Sequence, residues 1–240
     1  MNSTAERTLV WARDRGLATW FAKETTSTNS IAKSHVAISG VEAKPTLFLT
    51  EQQTAGRGRG DHSWITPHGA LLSTWSYPLN FAPQPILSPL VGLALFTAAR
   101  SAFPGLPFNL KAPNDLYIGH QKIAGLLIET VMMGPSVTCA VGLGFNAGDP
   151  PEALAASAAG LAKFLPKEII EQRWSIFLSA WIDGLEGAFA SAKVSKLSEK
   201  AREHLLLALN LNPLLTEPAL AVGELGQIQT SSRLINWHEL

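Results

Sequence analysis

The sequence predicts an α+β fold: a mostly antiparallel sheet flanked by helices, with a small β appendage at the C-terminus. Three observations carry this expectation. Short β-prone runs separated by turn residues recur up to Asn146. Beyond Pro150-Pro151 the chain turns to alanine-rich and amphipathic helical patterns. From Pro218 onward, Gly223 and Gly226 punctuate an alternation that includes Ile228 and Thr230. At 240 residues, 46% hydrophobic and 16% charged, the chain can bury a substantial core, and its composition excludes general disorder.

Ala18 to Ala22 reads as a short strand, and Ser27 or Thr28 is placed to cap a helix through Ile31 to about Val36. Thr46 to Thr50, β-prone and without a charged interruption, suits a buried strand. Ala70 to Tyr77 is expected as a strand, and Ile86 to Phe103 has helical spacing that stops before Pro104. Phe108 to Ala112 is a strand halted by Pro113, after which Asn114-Asp115 starts a turn. Leu116 to Ile118 and Ile123 to Val131 form a hairpin around Gly119-His120-Gln121, and Val137 to Val141 is a further strand. Helices are expected over Ala153 to Leu161, Lys167 to Ala190 and Lys196 to Leu209. The tail, two or three short strands, is too small to fold alone and should pack on the main body.

Lys and Arg together number 19, as do Asp and Glu. That balance lacks the broad basic field of an extended nucleic-acid binder. The single cysteine, Cys139, precludes an intrachain disulfide and reads as buried strand packing, in keeping with a reducing, cytoplasmic setting. Met1 to Arg15 is polar and mixed in charge, with no secretory hydrophobic region. Ile86 to Ala99 is too short and interrupted to span a bilayer. Neither His62 nor His68 falls in a metal-ligand spacing, and with His120 and His204 they default to surface or packing roles; the Trp174, Phe177 and Trp181 stripe reads as helix core.

Chemistry concentrates in Ser27-Thr28-Asn29, Gln53 through Trp64, Lys111 through Asp115 with Lys122 and Gly125, and Gly142 through Asn146. The second cluster contains Gly56-Arg57-Gly58-Arg59-Gly60, whose glycines permit close backbone approach and whose guanidinium forks suit carboxylate or phosphate. No nucleophile–base pair is apparent. The inventory of Arg, Lys, Gly, Asn and one acid, Asp115, favours binding phosphates and holding two substrates together, with catalysis by positioning and charge stabilisation. Plainer readings stand beside each cluster: a solvated loop for Gly56 to Gly60, a helix cap for Ser27-Thr28, an edge charge for Lys122, a turn for Asp115 and for Asn146, and loop packing for Trp64.

Gln52-Gln53-Thr54-Ala55-Gly56-Arg57-Gly58-Arg59, followed by Trp64, Pro67, Gly69 and Leu72, resembles the biotin-binding loop of biotin–protein ligases. Lys111-Ala112-Pro113-Asn114-Asp115 is similar to that family's Lys-Trp-Pro-Asn-Asp element, and Lys122-Ile123-Ala124-Gly125-Leu126-Leu127-Ile128-Glu129 to its Lys-x-x-Gly-Ile-Leu-x-Glu strand. Gly142-Leu143-Gly144-Phe145-Asn146 and Ser27-Thr28-Asn29 resemble two further elements, and all five occur in the family's order. The resemblance implies a biotin/lipoate ligase-like fold, related to class II aminoacyl-tRNA synthetases, with a catalytic domain over residues 1–210 and a truncated SH3-like segment over 211–240. It also implies a monofunctional enzyme without an N-terminal DNA-binding domain. Such an enzyme joins biotin and ATP to biotinyl-5′-AMP and passes biotin to a lysine of a biotin carboxyl carrier domain. Homodimer formation is compatible with it; DNA and membrane partners are not expected.

By the same resemblance Lys122, Arg59 and Lys111 would be catalytic, Lys122 foremost. Ser27, Thr28, Asn29, Gln53, Gly56, Arg57 and Gly125 would bind biotin. Arg59, Trp64, Asn114, Asp115, Lys122 and Asn146 would face the nucleotide, with Asp115 on a Mg²⁺. The chain departs from the family pattern at Asp61 and His62, where Gly and Arg are usual, and at Ala112 in place of Trp. Those departures leave room for a non-catalytic binder of biotin or adenylate. A lipoate ligase or octanoyl transferase of the same fold would not require the two-arginine loop.

Overall fold

The computed structural model describes residues 3–40, 44–134 and 136–239. In chain order its elements are α1 (Thr4–Asp14), β1 (Ala18–Thr25), α2 (Thr28–Ser39), β2 (Thr46–Gln53), β3 (Leu71–Leu79), α3 (Leu87–Ala102), β4 (Phe108–Lys111), β5 (Asp115–Ile118), β6 (Gln121–Met133), β7 (Ser136–Phe145), α4 (Lys167–Ser191), α5 (Glu199–Asn210), β8 (Ala221–Val222), β9 (Ile228–Gln229) and β10 (Leu234–Ile235). They group into two compact units, Met1–Ala82 with Ala124–Leu165 and Pro83–Ile123 with Pro166–Leu240.

In the first unit the strand order is β1-β2-β3-β7-β6. Only β1 and β2 run parallel there; β2–β3, β3–β7 and β6–β7 are antiparallel. Thr46 through Thr50 are buried, as a strand covered on both faces requires. On this sheet His35 of α2 lies edge-on to Phe48, and Trp11 of α1 meets Trp75 at a ring separation of 6.3 Å. No element is expected from the sequence over Thr4–Asp14, yet a capping box starts α1 there: the Glu6 amide donates to Ser3 Oγ at 3.1 Å and the Ser3 amide to Glu6 Oε2 at 2.9 Å.

The expected helix over Ala153 to Leu161 is not formed. Two 3-10 turns, Glu152–Leu154 and Leu161–Lys163, stand in its place. Alanine propensity gives way to tertiary pairing: the amides of Leu161 and Ala162 donate to the carbonyls of Asn146 and Ala147, so the segment is tied back to the end of β7.

The second unit holds the β4–β5 hairpin, α3 to α5 and a three-stranded sheet of order β10-β9-β8. Helix α3 is apolar on nearly every face and correspondingly buried. It approaches α4 closely at Gly184, where a Cβ would lie 2.9 Å from that of Ala94. Trp174, Phe177 and Trp181 are buried on α4, which makes the aromatic stripe core. The expected C-terminal β appendage is present as the three two-residue strands. No helix among the described residues is long and apolar enough to cross a membrane.

Candidate active site

In the first unit the predicted loop is a small hairpin. The Trp64 amide donates to the Gly56 carbonyl at 2.9 Å, Gly58 to His62 at 2.7 Å, and Arg57 bridges Ser63. Gly60 turns the tip with φ of 61°, leaving Arg57, Arg59, Asp61 and His62 exposed. The base is anchored on β7. Gly144 faces Gly125 across the β6–β7 ladder, and a Cβ on Gly144 would lie 2.5 Å from the Trp64 indole. One pleat away on the same face, a Cβ on Gly142 would overlap the side-chain oxygen of Asn29. The Gly-x-Gly spacing therefore makes two seats on one strand face, one for the loop's tryptophan and one for the helix's asparagine. A cavity of about 570 Å³ opens beside the loop, lined in part by Gln53, Thr54, Trp64, Thr66 and His68.

Ser27 occupies the predicted cap position of α2, but its side chain makes no capping hydrogen bond. The partner is remote: the Thr28 amide donates to Gln53 Oε1 at 2.8 Å, so the residue ending β2 satisfies an otherwise orphaned helix N–H. Both amide hydrogens of Asn29 are committed, to the Leu127 carbonyl (3.1 Å) and to Glu129 Oε2 (2.9 Å), and Thr74 Oγ1 lies 2.5 Å from its oxygen. Ser27, Thr28 and Asn29 are all buried.

Glu129 joins these elements. Lys33, one turn beyond Asn29, donates to Glu129 Oε1 at 2.6 Å, and an Arg57 guanidinium nitrogen lies 3.7 Å from the same oxygen. Burial pushes the Glu129 carboxyl up, but the hydrogen bonds from Lys33 and Asn29 and the charges of Lys33 and Arg57 together outweigh it, holding the group below the usual range. Glu129, Lys33 and Thr74 are not among the sequence-predicted site residues. Glu129 closes the motif begun by Lys122, and the four-residue spacing of Asn29 and Lys33 on a helix was a usable signal; Thr74 had none.

Asn146, just past β7, is buried and donates through Nδ2 to the Ala159 carbonyl at 3.2 Å. This contact secures the loop that follows. Cys139 is buried, with its thiol pushed up to about 12 by burial alone, and is chemically quiet.

The second unit brings together Lys111, Asn114, Asp115 and Lys122. Lys111 and Asp115 pair across the β4–β5 turn, and Lys122 Nζ sits 2.7 Å from Asp115 Oδ1. The pair is mostly buried, with side chains 29% and 17% exposed. A charge-assisted bond to phosphate contributes about 1.5–3 kcal/mol. A phosphate beside Lys122 would compete with Asp115 for its ammonium. The Lys111 ammonium lies over the Tyr117 ring at 5.7 Å, and the Tyr117 hydroxyl is pushed up to about 12 by burial and by the Asp115 charge. No group of three His, Cys, Asp or Glu side chains gathers among the described residues.

The sequence pattern of the Biotin/lipoate A/B protein ligase family matches residues 21–146. The chain is 34% identical over 116 residues to a biotin–[acetyl-CoA-carboxylase] ligase of Paracoccus denitrificans, covering 44% of this chain and 45% of that protein. It is 32% identical over 108 residues to a human biotin–protein ligase, covering 42% of this chain and 15% of the human protein. The chain thus spans less than half the length of these relatives. In three dimensions it matches the biotin protein ligase of Aquifex aeolicus, solved in complex with biotin and ATP, with a TM-score of 0.68 and 21% identity over 92% of this chain and 97% of that one. That likeness shows the fold.

Proposed function

The chain belongs to the biotin/lipoate A/B protein ligase family, and from that premise we propose that it is an ATP-dependent biotin–[biotin carboxyl carrier protein] ligase working in the cytoplasm. The observation that carries the choice of biotin is the Gly56 to Gly60 loop: two arginines on a hairpin whose Trp64 is seated on Gly144. A carboxylate attacking a triphosphate brings like charges together, and two forked cations on one short segment answer that need. The names of the relatives support the same reading.

In the first step a biotin carboxylate oxygen attacks the α-phosphorus of ATP, the bond to the β-phosphate bridging oxygen breaks, and pyrophosphate leaves. Ser27, Thr28, Gln53, Gly56, Arg57 and Gly125 bind biotin, and Asn29 serves that site by fixing α2 against Leu127 and Glu129. Arg59, Trp64, Asn114 and Asn146 hold the nucleotide. Lys122 leaves Asp115 for the α-phosphoryl oxygens and Lys111 offsets the remaining phosphate charge; Asp115 would hold a Mg²⁺ accompanying ATP, which would supply further neutralisation of phosphate charge. In the second step a carrier lysine amine attacks the acyl carbon of biotinyl-5′-AMP and AMP departs. Residues 1–210 supply this chemistry, with 211–240 as a C-terminal β segment; neither DNA nor a membrane is a partner, and a homodimer is compatible with the scheme.

Biotin-dependent exchange of pyrophosphate into ATP tests the first step. Parent protein should catalyse it with biotin and not with lipoate or octanoate. Lys122→Ala should reduce it by roughly 10³-fold or more while the circular dichroism spectrum stays unchanged. Equal exchange by parent and variant would remove Lys122 from this role, and exchange supported by lipoate would move the chain to the other branch of the family.

A further inference from the structure

Residues after α5 make two buried hydrogen bonds to distant backbone. Asn212 Nδ2 donates to the Leu110 carbonyl at 3.1 Å, and Trp237 Nε1 donates to the Pro113 carbonyl at 2.8 Å. These carbonyls lie on either side of Lys111-Ala112, at the turn that leads to Asn114 and Asp115. Both donors are almost entirely buried, with exposures of 6% and 4%. Asn212 is itself fixed, since its side-chain oxygen accepts the Leu214 amide at 2.8 Å. The Trp237 ring packs toward α3 at Gly92, where a Cβ would be 3.9 Å from the indole. Ser88 of α3 also reaches the Pro113 carbonyl, at a longer 3.4 Å. The start of the β appendage is pinned in turn to the end of α5, where Asn210 exchanges two 2.9 Å hydrogen bonds with the Ala219 backbone.

We infer that the C-terminal segment is a brace for the phosphate-handling turn, with Trp237 and Asn212 acting as positioning residues for Lys111, Asp115 and the Lys122 that pairs with Asp115. The inference rests on the function proposed above. A strand end followed by a proline has few ladder bonds of its own; Pro113 lacks an N–H, and its carbonyl needs a donor. The buried indole supplies a short one. A shift of about 1 Å in a positioning group can change a rate by roughly 10²-fold, so two fixed carbonyls beside Lys111 bear on chemistry as well as on folding.

The test compares the full chain with Trp237→Phe, which keeps an aromatic ring and deletes the N–H, and with Asn212→Ala. Hydrogen exchange is followed by peptide, and pyrophosphate exchange is measured with biotin and ATP varied separately. The brace predicts faster amide exchange confined to residues 108–118. It also predicts a kcat lowered by about tenfold in either variant, as expected for loss of one orienting hydrogen bond, with the KM for biotin within about twofold of the parent. Unchanged exchange over 108–118, unchanged kcat, or a uniform loss of protection across the unit would each overturn it, the last by making these ordinary core residues. A parent that fails to exchange pyrophosphate would refute the proposed function; an active parent with indifferent variants refutes only the brace.

Discussion

Glu129 shows how one carboxylate can join several elements of a site. It accepts from Asn29 and Lys33 and lies near Arg57, so helix, strand and loop meet on two oxygens. Its folded-state pKa lies below the ordinary 4.5. In the window below that value the unfolded chain therefore binds more protons than the folded one. The contribution to stability is fully present above about pH 4.5, and it is lost as pH falls through the depressed folded value. Glu129→Gln should be less stable than the parent at pH 7, with the difference shrinking as pH falls below the carboxylate range. Urea midpoints from pH 7 to pH 3 measure this; a gap of constant size would show that protonation of Glu129 is not linked to folding. The sequence revealed Glu129 as the end of a motif but not as a hub. Two of its partners lie 96 and 100 residues away, and nothing local announces them. The same limit applies at Ser27: the start of α2 was legible, while the acceptor that satisfies it, Gln53, came from another strand.

At the scale of elements, β7 acts as the bed for the arginine loop and for the start of α2. Gly144→Ala would place a methyl group 2.5 Å from the Trp64 indole, in a ladder that cannot easily retreat because Gly144 is paired on both sides, with Leu72 and Gly125. Overpacking of this kind costs about 1–3 kcal/mol. The expected result is a lower urea midpoint together with faster tryptic cleavage after Arg57 and Arg59, as the tryptophan is unseated and the loop opens. Cleavage at the parent rate would show that the seat does not order the loop. Element types were largely readable because burial and local pattern agreed: Thr46 to Thr50 and the α4 aromatic stripe are examples. Reading failed where they diverged. Ala153 to Leu161 has helical composition but makes short local turns and ends with the Leu161 amide tied to Asn146, whereas Thr4–Asp14 is too polar to stand out yet carries a complete capping box.

For the whole molecule, the ordered motifs pointed to a family that residues 21–146 match. Motifs name what each short segment can bind; they say little about the ties that hold the segments still. Trp237 to Pro113, 124 residues apart, is such a tie, and it gives the C-terminal segment a task that its short strands do not suggest. Transfer of biotin onto a carrier lysine is the reaction proposed for this chain. The most direct measurement incubates it with Mg-ATP, biotin and a biotin carboxyl carrier domain, with parallel reactions containing lipoate or octanoate, and reads the carrier by mass spectrometry. One biotinyl group on a single lysine is expected, dependent on ATP and absent with lipoate or octanoate. A carrier that stays unmodified while the protein binds biotin, or that gains a lipoyl or octanoyl group instead, would rule out biotin transfer by this chain.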